Sequence, residues 1–255
     1  MDTVVEAFAD EATLMPIQNI GGLRIMSEDV FNFSTLIDEY LKREPQERVI
    51  GVYRPSEIGT CIRLTYYKFR MPVEFPPDKL RLFKAGDHVH YFIRSVLASS
   101  PRLKLVDWEK PFSLVYDDFE ISSGGYDDLI TVRVQGKPLP IIIEVKSVSG
   151  KGVDHIKQPS MMHLYQIHPY MKAAHSNMAT IWYVARDTYA DKWFTVFYDE
   201  RIMDEAVARI RKLHWHLVEQ ILPERECGFL CKFCPFWQEC RGDYNPPLKE
   251  RALGR

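Results

Sequence analysis

The stretch LPIIIEVKSV (residues 139–148) sets an acid and an amine two positions apart in an otherwise apolar run. Strand geometry alternates side chains between two faces, so Ile141, Ile143 and Val145 share one face and Ile142, Glu144 and Lys146 the other. If that second face is buried, each charge is costly unless the other, a metal ion or a substrate compensates it. If the strand end emerges into solvent, water is enough. Just upstream, SSGGYDDLITVRV (122–134) puts Asp127 and Asp128 at the mouth of the preceding strand, behind a glycine pair that lets the chain turn sharply. Adjacent strands would bring one of these aspartates close to Glu144. Two carboxylates with open positions suit a hard divalent cation, magnesium or manganese. Such an ion bridges phosphate, acidifies a bound water and stabilises a departing oxygen, while Lys146 can orient the water or balance developing charge.

Three further residues bear on this site. His90 falls on the apolar stripe of a long helix, where a histidine taken alone is a hydrogen-bonded core residue. Gln166 and Tyr170 are four apart and share a helical face.

A second group is CGFLCKFCPFWQEC (227–240), which holds four of the five cysteines. In a reducing compartment such clustering signals metal or redox ligation more than disulfides. Four thiolates can hold zinc or an iron-sulfur cluster, and only spacing discriminates them at this level. Structural zinc sites usually pair two C-x-x-C units. Here Cys231, Cys234 and Cys240 form C-x-x-C-x5-C rather than two C-x-x-C pairs, and Cys61 far upstream is available as a fourth ligand. Cys227 can replace Cys61 in principle, and its default is a free thiol.

These residues need elements to carry them. An amphipathic helix is expected at FSTLIDEYLKR (33–43). RPSEIGTCIRLTYYKF (54–69) reads as two short helices, with Ser56 as N-cap, Gly59 as the break and the second starting near Cys61. The long helix spans 76–99, with Phe83, Gly86, His90, Ile93 and Leu97 facing inward. Strands follow at 104–116, 119–124, 128–135 and 139–148. A helix at 158–176 is kinked at Pro169, then come strands at 178–186 and 192–199 and a final helix at 204–222. The order predicts an α/β fold with a mixed central sheet flanked by helices. Residues 1–50 form an N-terminal extension, 51–245 the main domain and 246–255 a basic tail.

Taken in order, Gly86 with His90 (G-x-x-x-H), Gly125 with Asp128 (G-x-x-D), Glu144-Val145-Lys146 (E-x-K) and Gln166 with Tyr170 (Q-x-x-x-Y) resemble the motifs of RecB-like nucleases of the PD-(D/E)XK superfamily. With Cys61, Cys231, Cys234 and Cys240, the chain resembles the iron-sulfur subgroup, which includes the CRISPR-associated exonucleases of the fourth Cas family and the AddB nuclease domain. The resemblance covers roughly residues 54–241. It implies a restriction-endonuclease-like core, with 54–70 and 227–241 forming a cluster subdomain that joins the two ends of the domain. It implies that His90, Asp128, Glu144 and the Val145 carbonyl ligate magnesium or manganese, that Lys146 is catalytic, that Gln166 and Tyr170 line the nucleic-acid groove, and that the cysteines hold a 4Fe-4S cluster. Gly124 offers Asp127 the spacing that Gly125 offers Asp128, and Asp128 is preferred. Pro169 departs from the usual apolar filler of the Gln-Tyr motif.

The implied activity is a metal-dependent DNA exonuclease acting at ends or on single strands, in CRISPR adaptation, recombination and repair, or viral DNA processing, with proteins of those pathways as partners. A non-cleaving adaptor that binds DNA ends, or a zinc-stabilised interaction protein, would use the same residues without the chemistry. The net charge of −2 argues against a protein that coats nucleic acid indiscriminately. Basic residues gather in ARIRKLHWH (208–216) and LKERALGR (248–255), a pattern first explained as solvated helix faces. With 255 residues and 46% hydrophobic content the chain can bury a sizeable core without disulfides. The sequence contains no apolar run of membrane-spanning length, and a cytoplasmic location is expected.

Overall fold

The structure, a computed structural model, describes residues 17–20, 23–26, 32–42, 48–123 and 125–243. The expected basic tail and most of the N-terminal extension lie outside these residues. A two-stranded hairpin comes first, β1 (Ile17–Ile20) and β2 (Leu23–Met26). It is followed by α1 (Phe33–Leu41), which Asn32 caps by accepting from Ser34 and Thr35 N–H groups at 2.9 and 3.3 Å. Next come β3 (Val52–Tyr53), α2 (Pro55–Ile58), α3 (Ile62–Arg70) and the long α4 (Pro77–Ser99). Pro77 opens α4 at the position where a missing N–H costs nothing. The α2 cap is Arg54 rather than Ser56, because Pro55 already supplies the helix start. Cys61 caps α3, the break expected at Gly59.

Strands β4 (Lys104–Trp108), β5 (Phe112–Val115), β6 (Glu120–Ser123), β7 (Asp128–Val134) and β8 (Lys137–Val148) follow. After them come α5 (Gly150–Val153), α6 (Met161–Ala173), β9 (Met178–Ala185), β10 (Asp191–Phe197), α7 (Glu200–Val218), a 3-10 turn (Phe229–Phe233) and α8 (Trp237–Arg241). The run expected as continuous strand at 104–116 is split between two sheets. β4 closes a five-stranded sheet of order β10-β9-β8-β7-β4, while β5 joins β6 and β3 in a three-stranded one. A local sequence pattern cannot foresee that change of partner.

The central sheet is mixed, as expected. β8 and β9 are parallel, joined by the α5–α6 crossover, and its other pairs are antiparallel. β7 and β8 form a hairpin through Gln135 and Gly136, whose φ values of 50° and 79° suit a tight primed turn. The run Ile141–Val145 reads both ways, as alternation requires. Ile141, Ile143 and Val145 pack with Val89, Ile93 and Leu97 of α4. Ile142 packs on the opposite face with Ile167, Tyr170 and Met171 of α6. Burying a side chain of that size stabilises by roughly 1.5–3 kcal/mol each, so both helices are held against β8.

The inward stripe of α4 differs from the sequence expectation at Phe83 and at His90, which is only half-buried. Leu80, Gly86, Val89, Ile93 and Leu97 are buried, whereas Phe83 turns outward against Phe75 with ring centroids 5.1 Å apart. Gly86 explains why α4 can lie so close to β8, since a Cβ there would stand 3.0 Å from Ser147 Oγ. α6 runs as helix through Pro169, with its N-cap Ser160 accepting from His163 N–H. A third core packs α2, α3 and α7 around Tyr53, Tyr66, Tyr67, Met203 and Ile210. α1 docks on α4 through Arg81, which reaches Asp38 at 2.8 Å and the Ser34 carbonyl at 3.1 Å. Among the described residues, no helix is long and apolar enough to cross a membrane.

Candidate active site

The face of β8 that looks toward α6 carries Glu144 and Lys146, and Gln166 of α6 closes a triangle with them. Lys146 Nζ donates to Glu144 Oε1 at 2.6 Å and to Gln166 Oε1 at 2.8 Å, and Gln166 Nε2 donates to Glu144 Oε1 at 2.6 Å. Gln166 Nε2 also reaches the Tyr170 hydroxyl at 3.4 Å, so the two share one face of α6 despite Pro169. Glu144 is buried (2% exposed), and its pKa rises to about 7 because burial penalises the charged form and the Asp127 carboxylate repels it. Lys146 pulls the other way without overcoming these. The strand is thus not emerging into water at this point.

Asp127 and Asp128 part ways at the start of β7. Asp128 pairs in register with Ile143 and is fully buried (0% exposed), with Oδ1 accepting from Arg94 Nε at 2.8 Å. Burial raises its pKa despite the Arg94 hydrogen bond and charge. Asp127 is the residue that meets His90, with Oδ1 3.2 Å from His90 Nδ1, while its Oδ2 accepts from the Val145 N–H at 2.8 Å. Burial opposes a charge on His90, but the hydrogen bond and charge of Asp127 outweigh it and hold the imidazole above its ordinary range. The structure therefore gathers His90, Asp127, Glu144, Val145, Lys146, Gln166 and Tyr170, and sets Asp128 apart under Arg94. An open cleft of about 400 Å³ borders this group, lined by Lys84, Asp87, His90, Tyr91, Arg94, Glu109 and Asp127.

Sequence reasoning weighed Asp127 but preferred Asp128, and it passed over Arg94 and His163. Counting pairs back from the Gln135–Gly136 turn sets Asp127, one step beyond the last ladder pair, across from Glu144. Arg94 was legible as the residue one helical turn after His90. His163, three before Gln166, donates to or accepts from the Tyr183 hydroxyl at 2.7 Å, and Tyr183 is the cross-strand partner of Lys146. Burial and the nearby Lys146 push the His163 pKa down to about 4, so it stands neutral beside the ammonium.

Whether a divalent cation suits this group is a question of donors. Glu144 Oε2 and Asp128 Oδ2 are buried without hydrogen-bond partners among the described residues. A buried carboxylate oxygen with no donor is costly; a cation beside Asp127 and His90 would satisfy that of Glu144, while that of Asp128 lies on the α4 side beside Arg94. The donors are oxygen and imidazole, which fits magnesium or manganese. Among the described residues, no three His, Cys, Asp or Glu side chains already stand close enough to enclose an ion.

The cysteines lie at the other end of the domain. Cys61 caps α3, Cys231 sits in the 3-10 turn, and Cys234 and Cys240 pack against the α2–α3–α7 core. The Cys234 thiol is pushed up by burial, and thiolate charge at Cys61, Cys240 and Cys231 adds to this. Cys227 is exposed. The two segments are tied by protein contacts as well. Arg63 Nε donates to the Pro223 carbonyl at 2.6 Å, Glu226 accepts from Ile62 N–H at 2.7 Å, and the rings of Tyr67 and Phe236 lie 5.3 Å apart.

The chain is thus an α/β protein whose mixed sheet holds an acid, an amine and an amide in one buried triangle beside an Asp–His pair. No protein-family model matches it, and no curated protein is similar in sequence. Among solved structures it is similar to the crystal structure of SSO0001, at a TM-score of 0.48 and 17% identity, over 79% of this chain and 90% of that one. It is also similar to the alkaline exonuclease LHK-Exo from Laribacter hongkongensis, at a TM-score of 0.42 and 11% identity, over 68% of this chain and 90% of that one. The same values hold for LHK-Exo in complex with dAMP. At such low identity the chemistry of the site rests on its own geometry.

Proposed function

We propose that the chain is a metal-dependent deoxyribonuclease that hydrolyses phosphodiester bonds at DNA ends or on single strands. The observation that carries this is the buried Glu144, one oxygen held by Lys146 and Gln166 and the other without a donor, next to Asp127 and His90. A structural ion pair would satisfy both oxygens. This one keeps an oxygen without a donor and an amine fixed beside it, and a cleft opens at the neighbouring Asp127 and His90.

Magnesium or manganese would be held by Glu144, His90, the Val145 carbonyl and a carboxylate of the Asp127–Asp128 pair, and would supply Lewis-acid stabilisation of the phosphate and an acidified water. Lys146 is locked by its two hydrogen bonds, so its ammonium faces the reacting phosphate at no reorganisation cost and balances the charge that builds there. Gln166 fixes both Glu144 and Lys146, so it sets the angle between carboxylate and amine. Water attacks phosphorus and gives up a proton to solvent, the bond to the leaving oxygen breaks, and that oxygen takes up a proton in turn. The cysteines Cys61, Cys231, Cys234 and Cys240 are assigned to an iron-sulfur cluster, 4Fe-4S by the family resemblance, which would clasp the two ends of the domain.

The test is a cleavage time course on end-labelled single- and double-stranded DNA with magnesium or manganese, comparing wild type with Glu144→Ala and Lys146→Ala. Wild type cleaves and both variants lose activity while keeping their circular dichroism. Undiminished cleavage by both would remove the assignment.

A further inference from the structure

We propose that Arg94 and Asp128 are a positioning pair that directs the carboxylate of Asp127, rather than that of Asp128, to the cation position beside His90 and Glu144. The inference rests on the metal-dependent nuclease reading and deepens it.

Register argues first. Across the β7–β8 hairpin, Val134 pairs with Lys137 and Asp128 with Ile143, so the next step sets Asp127 opposite Glu144. Cross-strand partners share a face. Asp128 therefore goes with Ile143 toward α4, while Glu144 points to Gln166 on α6. His90 also belongs to α4, and it joins the Glu144 side of the site through Asp127, whose Oδ1 it meets at 3.2 Å.

Hydrogen bonding argues second. Arg94 donates through Nε to Asp128 Oδ1 at 2.8 Å and through Nη2 to Glu109 Oε1 at 2.9 Å and the Asp127 carbonyl at 3.3 Å. The planar guanidinium fork grips the Asp127–Asp128 backbone and one side chain together, which an amine cannot copy. The grip is tightened from the other side. Gly125 lies so close to Glu109 that a Cβ would stand 2.1 Å from the Glu109 carbonyl carbon, and Glu109 N–H donates to the Tyr126 carbonyl at 2.9 Å and to that of Asp127 at 3.2 Å. With its backbone clamped in this way, Asp127 presents one oxygen to His90 and the other to the Val145 N–H.

Manganese binding to the chelator-stripped full chain, followed by electron paramagnetic resonance, tests this without reference to turnover. Asp127→Asn abolishes the bound-manganese spectrum. Asp128→Asn and Arg94→Lys keep the spectrum but weaken affinity by about 10–100-fold, the usual effect of losing a group that orients a metal ligand. Removing one member of a buried pair can unfold a protein, so the double variant R94M/D128L replaces both with apolar groups of similar volume. It stays folded and shows the same weakened binding. Loss of the spectrum in Asp128→Asn with retention in Asp127→Asn overturns the inference and leaves the nuclease reading standing. Wild-type affinity in Arg94→Lys and Asp128→Asn overturns it too. No manganese binding by the wild-type chain overturns both.

Discussion

Glu144→Gln separates the structural cost of the buried carboxylate from its use. A rise in pKa from 4.5 to about 7 corresponds to ~3 kcal/mol of preference for the neutral form. Burial is the first cause and the Asp127 charge the second, with Lys146 returning only part. The sign follows from linkage. The folded state holds the proton more tightly than the unfolded chain, so the wild-type protein is unpenalised below pH ~4.5, loses stability as pH rises toward 7, and carries the full deficit above it. Glutamine mimics the protonated acid in size and keeps an oxygen for Lys146, so it carries no such deficit. Denaturant melts of both proteins with chelator present, at intervals from pH 4.5 to 8.5, should show a difference that grows in favour of Glu144→Gln by up to ~3 kcal/mol. Taking the difference cancels the groups that do not interact with Glu144, and leaves the coupled response of its neighbours His90, Asp127 and Lys146 within it. Manganese should then reverse the order at high pH, because the carboxylate gains a partner that the amide cannot match. A difference flat across this range would refute the claim that Glu144 is desolvated and repelled. A difference that grows but ignores manganese would keep the electrostatics and remove the cation.

Gly59→Ala tests the α2–α6 contact: the backbone of Gly59 is ordinary for alanine, but the new Cβ would stand 2.3 Å from Met162 Cα. A backbone atom cannot rotate aside, so the helices must separate at a cost of about 1–3 kcal/mol, and thermal melting should fall by several degrees; an unchanged Tm would deny the close approach. Cys61→Ser, Cys231→Ser, Cys234→Ser and Cys240→Ser, purified without oxygen, should each lose iron and sulfide, whereas Cys227→Ser should keep both with the brown colour. Stoichiometric zinc in a colourless wild-type preparation would replace the cluster assignment with a zinc site.

Much of the arrangement was legible from local pattern. Alternation in LPIIIEVKSV gave the two faces of β8, and the helical spacing of Gln166 and Tyr170 gave their shared side. The break at Gly59 and the start of α3 at Cys61 followed from turn chemistry, and so did the overall α/β order. Where the reading went astray, the deciding interaction came from another element. Phe83 has the right spacing for the core, but it lies outward against Phe75. Residues 104–116 look like uniform strand, yet β4 and β5 pair in different sheets because their partners, β7 and β6, are set by the folded chain. The choice between Asp127 and Asp128 is not one local pattern can make, since two glycines give both the same motif spacing and only register and the Arg94 contact tell their positions apart.

By itself, then, the sequence determined which side chains alternate, which repeat along a helix and which chemistry they are fit for, because these depend on bond geometry within a few residues. Only the tertiary structure decided that Asp127 rather than Asp128 stands across from Glu144, that Arg94 occupies the neighbouring acid, and that Glu144 is stripped of water. Those outcomes depend on strand register and on which helix covers which face, and both are fixed by contacts between residues far apart along the chain.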